Sequence, residues 1–321
     1  MSISILRFSP CDAAYAAVAA IAAGAGADAL CDFEYTTGAE LQAFDEGFAR
    51  AGHAVRRHVA ECGGEVVGYA YSFPVTWELG TGRHWIMARV AHGHRRQGVG
   101  RALLERALAD VRAAGGRAAL TMARESHGWT ASALARRGFH ELLRSWEYTL
   151  DPRACDTAAL RRYLARAEAA GITLTTLAAE RERNPAWLPQ LFALHAALNA
   201  EIPIPEHPNM TPEWFAGFAQ ALPEAFFIAR DGERYVGESF MHRAASNPAT
   251  LVQKTTGVLP AWRGRGVATA LKLLTVDFAR RAGYARISTW IESNNPSMLA
   301  VSERLGFVRG PGQIVFERQP A

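Results

Sequence analysis

The sequence predicts an α+β fold that occurs twice: two domains in tandem, each a mixed, mostly antiparallel sheet flanked by helices. Three observations predict it. The 321 residues are 49% hydrophobic, which is enough for two separate cores. Residues 95–139 align without a gap to residues 263–307, with 12 identities in 45 positions. Strand-like and helix-like segments also alternate along the second half of the chain, as in a sheet covered by helices.

The two aligned segments share their glycines and arginines at matching places. Arg95 matches Arg263 and Gly98 matches Gly266, with each pair 168 positions apart. A period of this length indicates duplication of a whole domain, because solenoid repeats are much shorter. We therefore predict an N-terminal domain at 1–152, a helical connector at 153–169 and a C-terminal domain at 170–321.

The elements are easiest to assign in the second copy, where period-two and helical patterns alternate. A hairpin is predicted through Asp231-Gly232-Glu233, Thr211 is a helix cap before Pro212, and Gly283 ends a long helix. Six strands are predicted, at 172–179, 225–230, 234–243, 249–258, 285–291 and 313–318. Four helices are predicted, at 185–200, 211–222, 266–283 and 296–306.

The start of the first copy contains a small-residue apolar run, 13–30, that resembles a secretory leader. It follows Pro10 and Asp12, and only Arg7 supplies a positive charge before it. We therefore predict a strand followed by an amphipathic helix. No other stretch is long and apolar enough to cross a bilayer, so we expect a cytoplasmic protein without a membrane partner.

Composition argues against several classes of partner. The net charge is +4, and only Lys254 and Lys272 are lysines. No clustered basic run with interleaved aromatic residues is present, so no nucleic-acid partner is expected. The four cysteines are scattered without metal-ligand spacing, which predicts free thiols and no metal. A monomer or a homodimer is expected.

Two loops rich in arginine and glycine carry the chemical signal, at 90–103 and 258–271. Each follows an apolar strand and enters a helix. Unpaired N–H groups at a helix N-terminus, glycines that permit close approach, and flanking arginines together form an anion site, typically for phosphate. No lysine follows Gly266, and Ala268 and Ala270 break the GxGxxG pattern. ATP and dinucleotides are therefore not favoured.

The pattern Arg263-x-x-Gly266-x-Ala268 resembles the acyl-CoA pyrophosphate loop of the GNAT superfamily of N-acetyltransferases, and Arg95-x-x-Gly98-x-Gly100 resembles it equally well. In the second copy, residues 294–307 also resemble the family's next segment, an asparagine, a helix and Gly-Phe. The chain is thus identified as similar to tandem GNAT proteins. The resemblance implies acetyl-CoA as co-substrate and direct attack by the primary amine of a small molecule.

The resemblance also implies which residues contact the co-substrate and which take part in the chemistry. The thioester carbonyl would meet a backbone N–H near Gly257 and Val258. The predicted contacts are Val258, Leu259, Arg263, Gly264, Arg265, Gly266, Val267, Ala268, Thr269 and Asn295 in the second copy, and Val90, Arg95, Arg96, Gly98, Val99, Gly100 and Arg101 in the first.

The catalytic residues are predicted less directly. Many members carry a tyrosine that protonates the departing thiolate, and Ser302 occupies that position here. Glu201 and Glu238 are the candidate general bases, with Glu292 a third carboxylate near the site. In the first copy the asparagine position is His127 and the tyrosine position is Leu134. We therefore expect the chemistry in the second copy and a degenerate first copy.

Two other functions remain open: acetylation of a protein or peptide, and non-catalytic binding of acyl-CoA. Mycothiol synthase is the tandem member of the family with which this sequence is best compared first. Resemblance to it would call for an acidic residue on the fourth strand of the second copy, and residues 251–258 contain none. The acceptor therefore stays open at this stage.

Overall fold

The computed structural model describes residues 3–24, 37–75, 82–205, 211–244 and 247–319. The chain divides into two units with separate hydrophobic cores. The N-terminal unit is Met1–Arg144 with Gly312–Ala321, and the C-terminal unit is Ser145–Pro311. Each is an α+β unit in which helices pack on a mixed sheet, as predicted.

The N-terminal unit contains a sheet in the order β1-β2-β3-β4-β5-β12. All its neighbouring strands are antiparallel except β4 and β5, which run parallel. Its strands are β1 Ile3–Arg7, β2 Arg56–Cys62, β3 Glu65–Pro74, β4 Arg83–Val90, β5 Ala118–Arg124 and the end of β12 Val308–Arg318. Its helices are α1 Asp12–Ala23, α2 Gly38–Arg50, α3 Val99–Ala113 and α4 Gly128–Ala135.

The C-terminal unit repeats this arrangement in the order β6-β11-β10-β9-β8-β7, with β10 and β11 parallel. Residues 145–150 of β6 pair with β11. Its strands are the end of β6 His140–Leu150, β7 Ile172–Thr176, β8 Phe226–Asp231, β9 Arg234–Arg243, β10 Thr250–Val258 and β11 Arg286–Glu292. Its helices are α5 Thr157–Leu160, α6 Arg162–Ala169, α7 Leu177–Arg183, α8 Trp187–Asn199, α9 Pro212–Ala219, α10 Val267–Arg281 and α11 Pro296–Arg304.

Most elements follow the sequence patterns. The hairpin β8–β9 and the long helix α10 are confirmed, and Gly283 takes a φ of 77° just beyond α10. Three predicted bounds are wrong, and one of them is the end of the helix predicted at 211–222, which the structure ends at Ala219. The strand predicted at 172–179 ends at Thr176, whose Oγ1 accepts from the N–H of Ala179 at 3.2 Å and so starts α7. The last strand begins at Val308, earlier than predicted.

The start of the chain also follows the prediction, with strand β1 and helix α1 in the apolar run. Residues 25–30 of that run lie outside the described residues. Helix α1 buries Val18 and Ala19 against the sheet in a core of its own. Within the described ranges, no helix is long and apolar enough to span a membrane.

Candidate functional site

In both units the two parallel strands separate soon after they begin. Strand β10 pairs with β11 only at Thr250–Val252, and β4 pairs with β5 only at Arg83–Trp85. The later residues of β10 and β4, all of which the structure describes, do not pair with β11 and β5. Each sheet therefore contains an opening beside an exposed strand edge, into which an extended ligand could pair.

A backbone N–H at the end of the strand faces each opening. The N–H of Leu259 donates to the carbonyl of Val236 on β9 at 2.9 Å, so the N–H of the preceding Val258 points to the other side. The N-terminal unit repeats this geometry, since the N–H of Ala91 donates to the carbonyl of Val67 at 2.8 Å. The position predicted to meet a carbonyl oxygen thus has a donor directed into the opening.

The arginine-glycine loops close the end of each opening and have the same conformation. Gly266 is the N-cap of α10 with a φ of 83°, and Gly98 is the N-cap of α3 with a φ of 86°. The guanidinium Nε of Arg263 donates to the carbonyl of Val258 at 2.9 Å, and that of Arg95 donates to Val90 at 3.2 Å. Both loops therefore present a helix N-terminus to the opening, as an anion site requires.

The left-handed backbone positions also match, although one is not a glycine. Gly264 has a φ of 74°, and the residue at its place in the first copy, Arg96, has a φ of 63°. A side chain in this region is strained by about 1–2 kcal/mol. The loop conformation is thus kept in the first copy in spite of that cost.

The opening of the N-terminal unit contains a cavity of about 870 Å³. It lies between β4, β5, the loop, α3 and α4. Its cationic lining consists of Arg89, Arg95, Arg96, Arg101, Arg136 and Arg137. Its apolar lining includes Met87, Leu104, Met122 and Leu134. A cavity with a cationic rim and an apolar wall suits a ligand with phosphate groups and an uncharged arm. His127 also lines it and is half-buried.

In the C-terminal unit the connector helix α6 contacts the loop. Arg166 Nη2 donates to the carbonyl of Gly264 at 2.8 Å. A Cβ placed on Gly266 would lie 2.9 Å from Cδ1 of Tyr163, whereas one on Gly98 would meet nothing within 4 Å. The two loops, alike in backbone, therefore differ in what covers them.

The fully buried Glu238 does not stand alone. Its Oε1 lies 2.5 Å from Nδ1 of His195, whose Nε2 lies 2.8 Å from Nδ2 of Asn199. The rings of Phe215 and Phe240 are 4.6 and 5.9 Å from the imidazole. Sequence reasoning missed His195, although a histidine four residues before an asparagine on an apolar helix is a usable signal. The arrangement thus joins a carboxylate, an imidazole and an amide in one row inside the C-terminal unit.

The other predicted polar residues have definite partners. Glu201 forms an ion pair with Arg263 of the loop. Asn295 caps α11, because its Oδ1 accepts from the N–H of Met298 at 3.2 Å. Asn294 donates to the carbonyl of Pro203 at 3.0 Å. Burial raises the pKa of Glu292 at the end of β11.

Ser302 on α11 is fully buried and bound to a lysine. Nζ of Lys272 on α10 donates to Oγ of Ser302 at 2.8 Å. Burial lowers the pKa of Lys272 to about 7. Among the residues that the structure describes, no group of three or more His, Cys, Asp or Glu could hold a metal ion.

The segments that contain the two openings and their loops match the model of a known family. The model of the Acetyltransferase (GNAT) family matches residues 27–139 and again 191–307. The chain belongs to the GNAT acetyltransferase family, with two domains in tandem. Membership of this family supports an acyltransferase activity, and the two matches correspond to the duplicated halves.

The chain is also similar to individual proteins, each at less than 30% identity. The chain is 27% identical over 282 residues to the mycothiol acetyltransferase of Corynebacterium glutamicum, covering 86% of each chain. It is 29% identical over 94 residues to N-alpha-acetyltransferase 30 of Schizosaccharomyces pombe, covering 29% of this chain and 63% of that one. Among solved structures, a tandem GNAT protein from the clavulanic acid biosynthesis pathway shares the fold with a TM-score of 0.70. It is 18% identical and covers 100% of this chain and 99% of its own.

Proposed function

We propose that the protein is an N-acetyltransferase that moves the acetyl group of acetyl-CoA to the primary amine of a small molecule. The observation that supports this most is the geometry found in both units: a separated pair of parallel strands, a backbone N–H directed into the gap, and a helix N-terminus at its end. Acetyl-CoA has a part to match each of these features: an extended amide arm for the gap, a thioester carbonyl for the N–H and a pyrophosphate for the helix N-terminus.

The residues present fit the co-substrate. In the C-terminal unit the pyrophosphate would lie on the N–H groups of residues 264–269, with Arg263 and Arg265 adjacent. The arm would pair with β10, and the N–H of Val258 would stabilise the oxyanion. In the N-terminal unit the cationic and apolar walls of the cavity suit the same ligand. Asn295 would act by fixing the start of α11 rather than by a side-chain contact, because its side chain caps that helix.

The chemistry is proposed for the C-terminal unit, because Lys272 and Ser302 form a buried pair there at positions that are leucines in the other copy, and Glu238 and His195 form a second buried pair. The Glu238–His195 pair is the candidate general base: the imidazole would take the proton of the attacking amine, and the carboxylate would stabilise the imidazolium. Glu201 would instead hold the loop through Arg263. Ser302 is the candidate acid for the departing thiolate.

A small-molecule acceptor is supported by the near full-length similarity to mycothiol acetyltransferase. A second candidate, acetylation of a protein or peptide amine, is favoured by the similarity of one segment to N-alpha-acetyltransferase 30. The two candidates share the acetyl-CoA chemistry and differ only in the acceptor.

The proposal is tested by calorimetric titration of acetyl-CoA into the wild type, Gly98→Glu and Gly266→Glu, with CoA release followed on panels of small amines and of peptides. The matched alanine variants at both positions control for the backbone strain of any side chain there. We expect Gly266→Glu to abolish turnover and Gly98→Glu to leave it. Turnover on peptides alone would favour the second candidate. A wild type that binds no acetyl-CoA would refute both.

A further inference from the structure

One of the two lysines of the chain is buried without a counter-charge. Lys272 is 1% exposed, and Ser302, its hydrogen-bond partner at 2.8 Å, is 0% exposed. Nζ also lies 4.7 Å from the ring centroid of Phe307. Within the described part of the chain, Lys272 forms no ion pair. Burying an ammonium group against a single hydroxyl is costly, so a fold does not keep one there for stability.

The other copy shows that the fold does not need this polar pair. A shift of 168 positions places Leu104 at the site of Lys272 and Leu134 at the site of Ser302, while Phe139 matches Phe307. The two leucines belong to one hydrophobic core. The same helix contact is therefore made from apolar side chains in the N-terminal unit, and the lysine and serine are additions of the C-terminal unit.

The leucines also show where the pair lies relative to the opening. Leu104 and Leu134 line the cavity of the N-terminal unit although they are only 7% and 8% exposed. The equivalent wall in the C-terminal unit carries Lys272 and Ser302. Under the proposed function, this wall is the one beside the thiol end of acetyl-CoA.

We propose that Lys272 is a positioning residue that supplies Ser302 with the proton given to the leaving thiolate. This inference rests on the proposed acetyltransferase function. The amine nitrogen forms its bond to the acetyl carbon, and the carbon–sulfur bond breaks with its electron pair going to sulfur. The sulfur takes the hydroxyl proton of Ser302, and Ser302 takes one from the ammonium of Lys272. One proton from solvent then returns Lys272 to the ammonium form, and the general base releases to solvent the proton that it took from the amine.

The protonation state of Lys272 suits this role because both forms are populated near neutrality. Burial is the cause of its lowered pKa, and no neighbouring charge contributes. Two of the nearby carboxylates have other partners: Glu303 accepts from Tyr148 at 3.2 Å, and Glu238 binds His195. The acidic, basic and histidine side chains on the elements around α10 are Arg162, Arg166 and Glu168 of α6, Arg230 and Asp231 of β8, Arg234, Glu238, His242 and Arg243 of β9, Lys254 of β10, Arg286 and Glu292 of β11, and Glu303 and Arg304 of α11.

The test compares full-length wild type, Lys272→Met, Ser302→Ala and Ser302→Thr, with CoA release measured from acetyl-CoA and an accepted amine between pH 6 and pH 10. We expect Lys272→Met and Ser302→Ala each to lower kcat about 10- to 100-fold, with KM for acetyl-CoA within about 2-fold. The alkaline fall of kcat in the wild type should disappear in both. Ser302→Thr keeps the hydroxyl and should restore both kcat and the pH profile.

Further measurements separate the possible failures. The double variant should be no slower than either single variant, because both remove one proton path. Thermal melting tests whether Lys272→Met remains folded, and its Tm is expected to rise because the substitution removes the buried charge. Unchanged kcat and pH profile in both single variants would overturn this inference about Lys272 and leave the proposed function standing. A wild type without turnover on any amine or peptide would overturn the proposed function and the inference together.

Discussion

The buried Lys272 predicts an unusual dependence of stability on pH. In the unfolded chain its pKa is the ordinary 10.5, and in the folded protein burial lowers it to about 7. Between these two values the unfolded chain binds one more proton than the folded protein. Folding is therefore penalised increasingly as pH falls from 10.5 towards 7, and below 7 this group adds nearly nothing more.

The magnitude follows from the two pKa values. At 1.36 kcal/mol for each unit, the penalty is about 4 kcal/mol at pH 7 and about 2 kcal/mol at pH 9. Replacing Lys272 by leucine, the residue at this place in the other copy, removes the penalty. The substitution also removes one hydrogen bond to Ser302, worth about 1 kcal/mol at any pH. Lys272→Leu should thus stabilise the protein at pH 7 and gain about 2 kcal/mol less at pH 9.

Urea denaturation of the wild type and Lys272→Leu at both pH values measures this difference, since other titrating groups are common to both proteins. Lys272→Arg is the control: it keeps its charge throughout, so its free energy of unfolding should be low at both pH values. A gain from Lys272→Leu that is the same at pH 7 and pH 9 would refute the reasoning. Such a result would mean that the lysine is charged in the folded protein.

Three further predictions concern the loops and the buried carboxylate. Gly98→Ala should lower the unfolding free energy by about 1–2 kcal/mol, because alanine is strained at its positive φ. Gly266→Ala should lower it by about 1 kcal/mol more, because the added Cβ also meets Tyr163. Urea denaturation of both variants, and of Gly266→Ala combined with Tyr163→Ala, measures the difference, and equal losses would count against the contact with Tyr163. Arg96→Gly should raise the unfolding free energy by about 0.5–1 kcal/mol, since relief of the left-handed strain exceeds the added backbone entropy of glycine; a urea melt showing a loss would contradict it. Glu238→Gln should lower kcat about 100-fold in the CoA-release assay with KM for acetyl-CoA unchanged, and wild-type kcat would exclude Glu238 from proton transfer.

The fold and the loops could be predicted from the sequence because their causes are local. Gly98 and Gly266 occupy positions that need a positive φ, and that need is visible as a repeated glycine before a helical run. Helix α7 was missed because its start depends on one cap, Thr176, within a run that alternates like a strand. That single hydrogen bond leaves no trace in the alternating pattern of the sequence.

The partners within each polar pair could not be predicted from local patterns, because each pair joins residues far apart in the chain. His195 and Glu238 meet across 43 positions, and Lys272 and Ser302 across 30. On its own, each looks like an ordinary member of an amphipathic helix or strand. The comparison of the two copies held a usable signal for the second pair, since leucines stand at both matching positions in the first copy.

The end of strand β12 belongs to the N-terminal unit, and this affects the order in which the chain can fold during synthesis. Residues 313–318 pair with β5 and place Ile314 and Phe316 in the core of the N-terminal unit. A ribosome makes these residues after the rest of both units, so the nascent N-terminal sheet waits with the edge of β5 unpaired. An unpaired edge invites association with other chains. The protein thus depends on residues 313–318 to finish the half that is synthesised first, and a stop codon shortly before them would leave that half without a strand of its core.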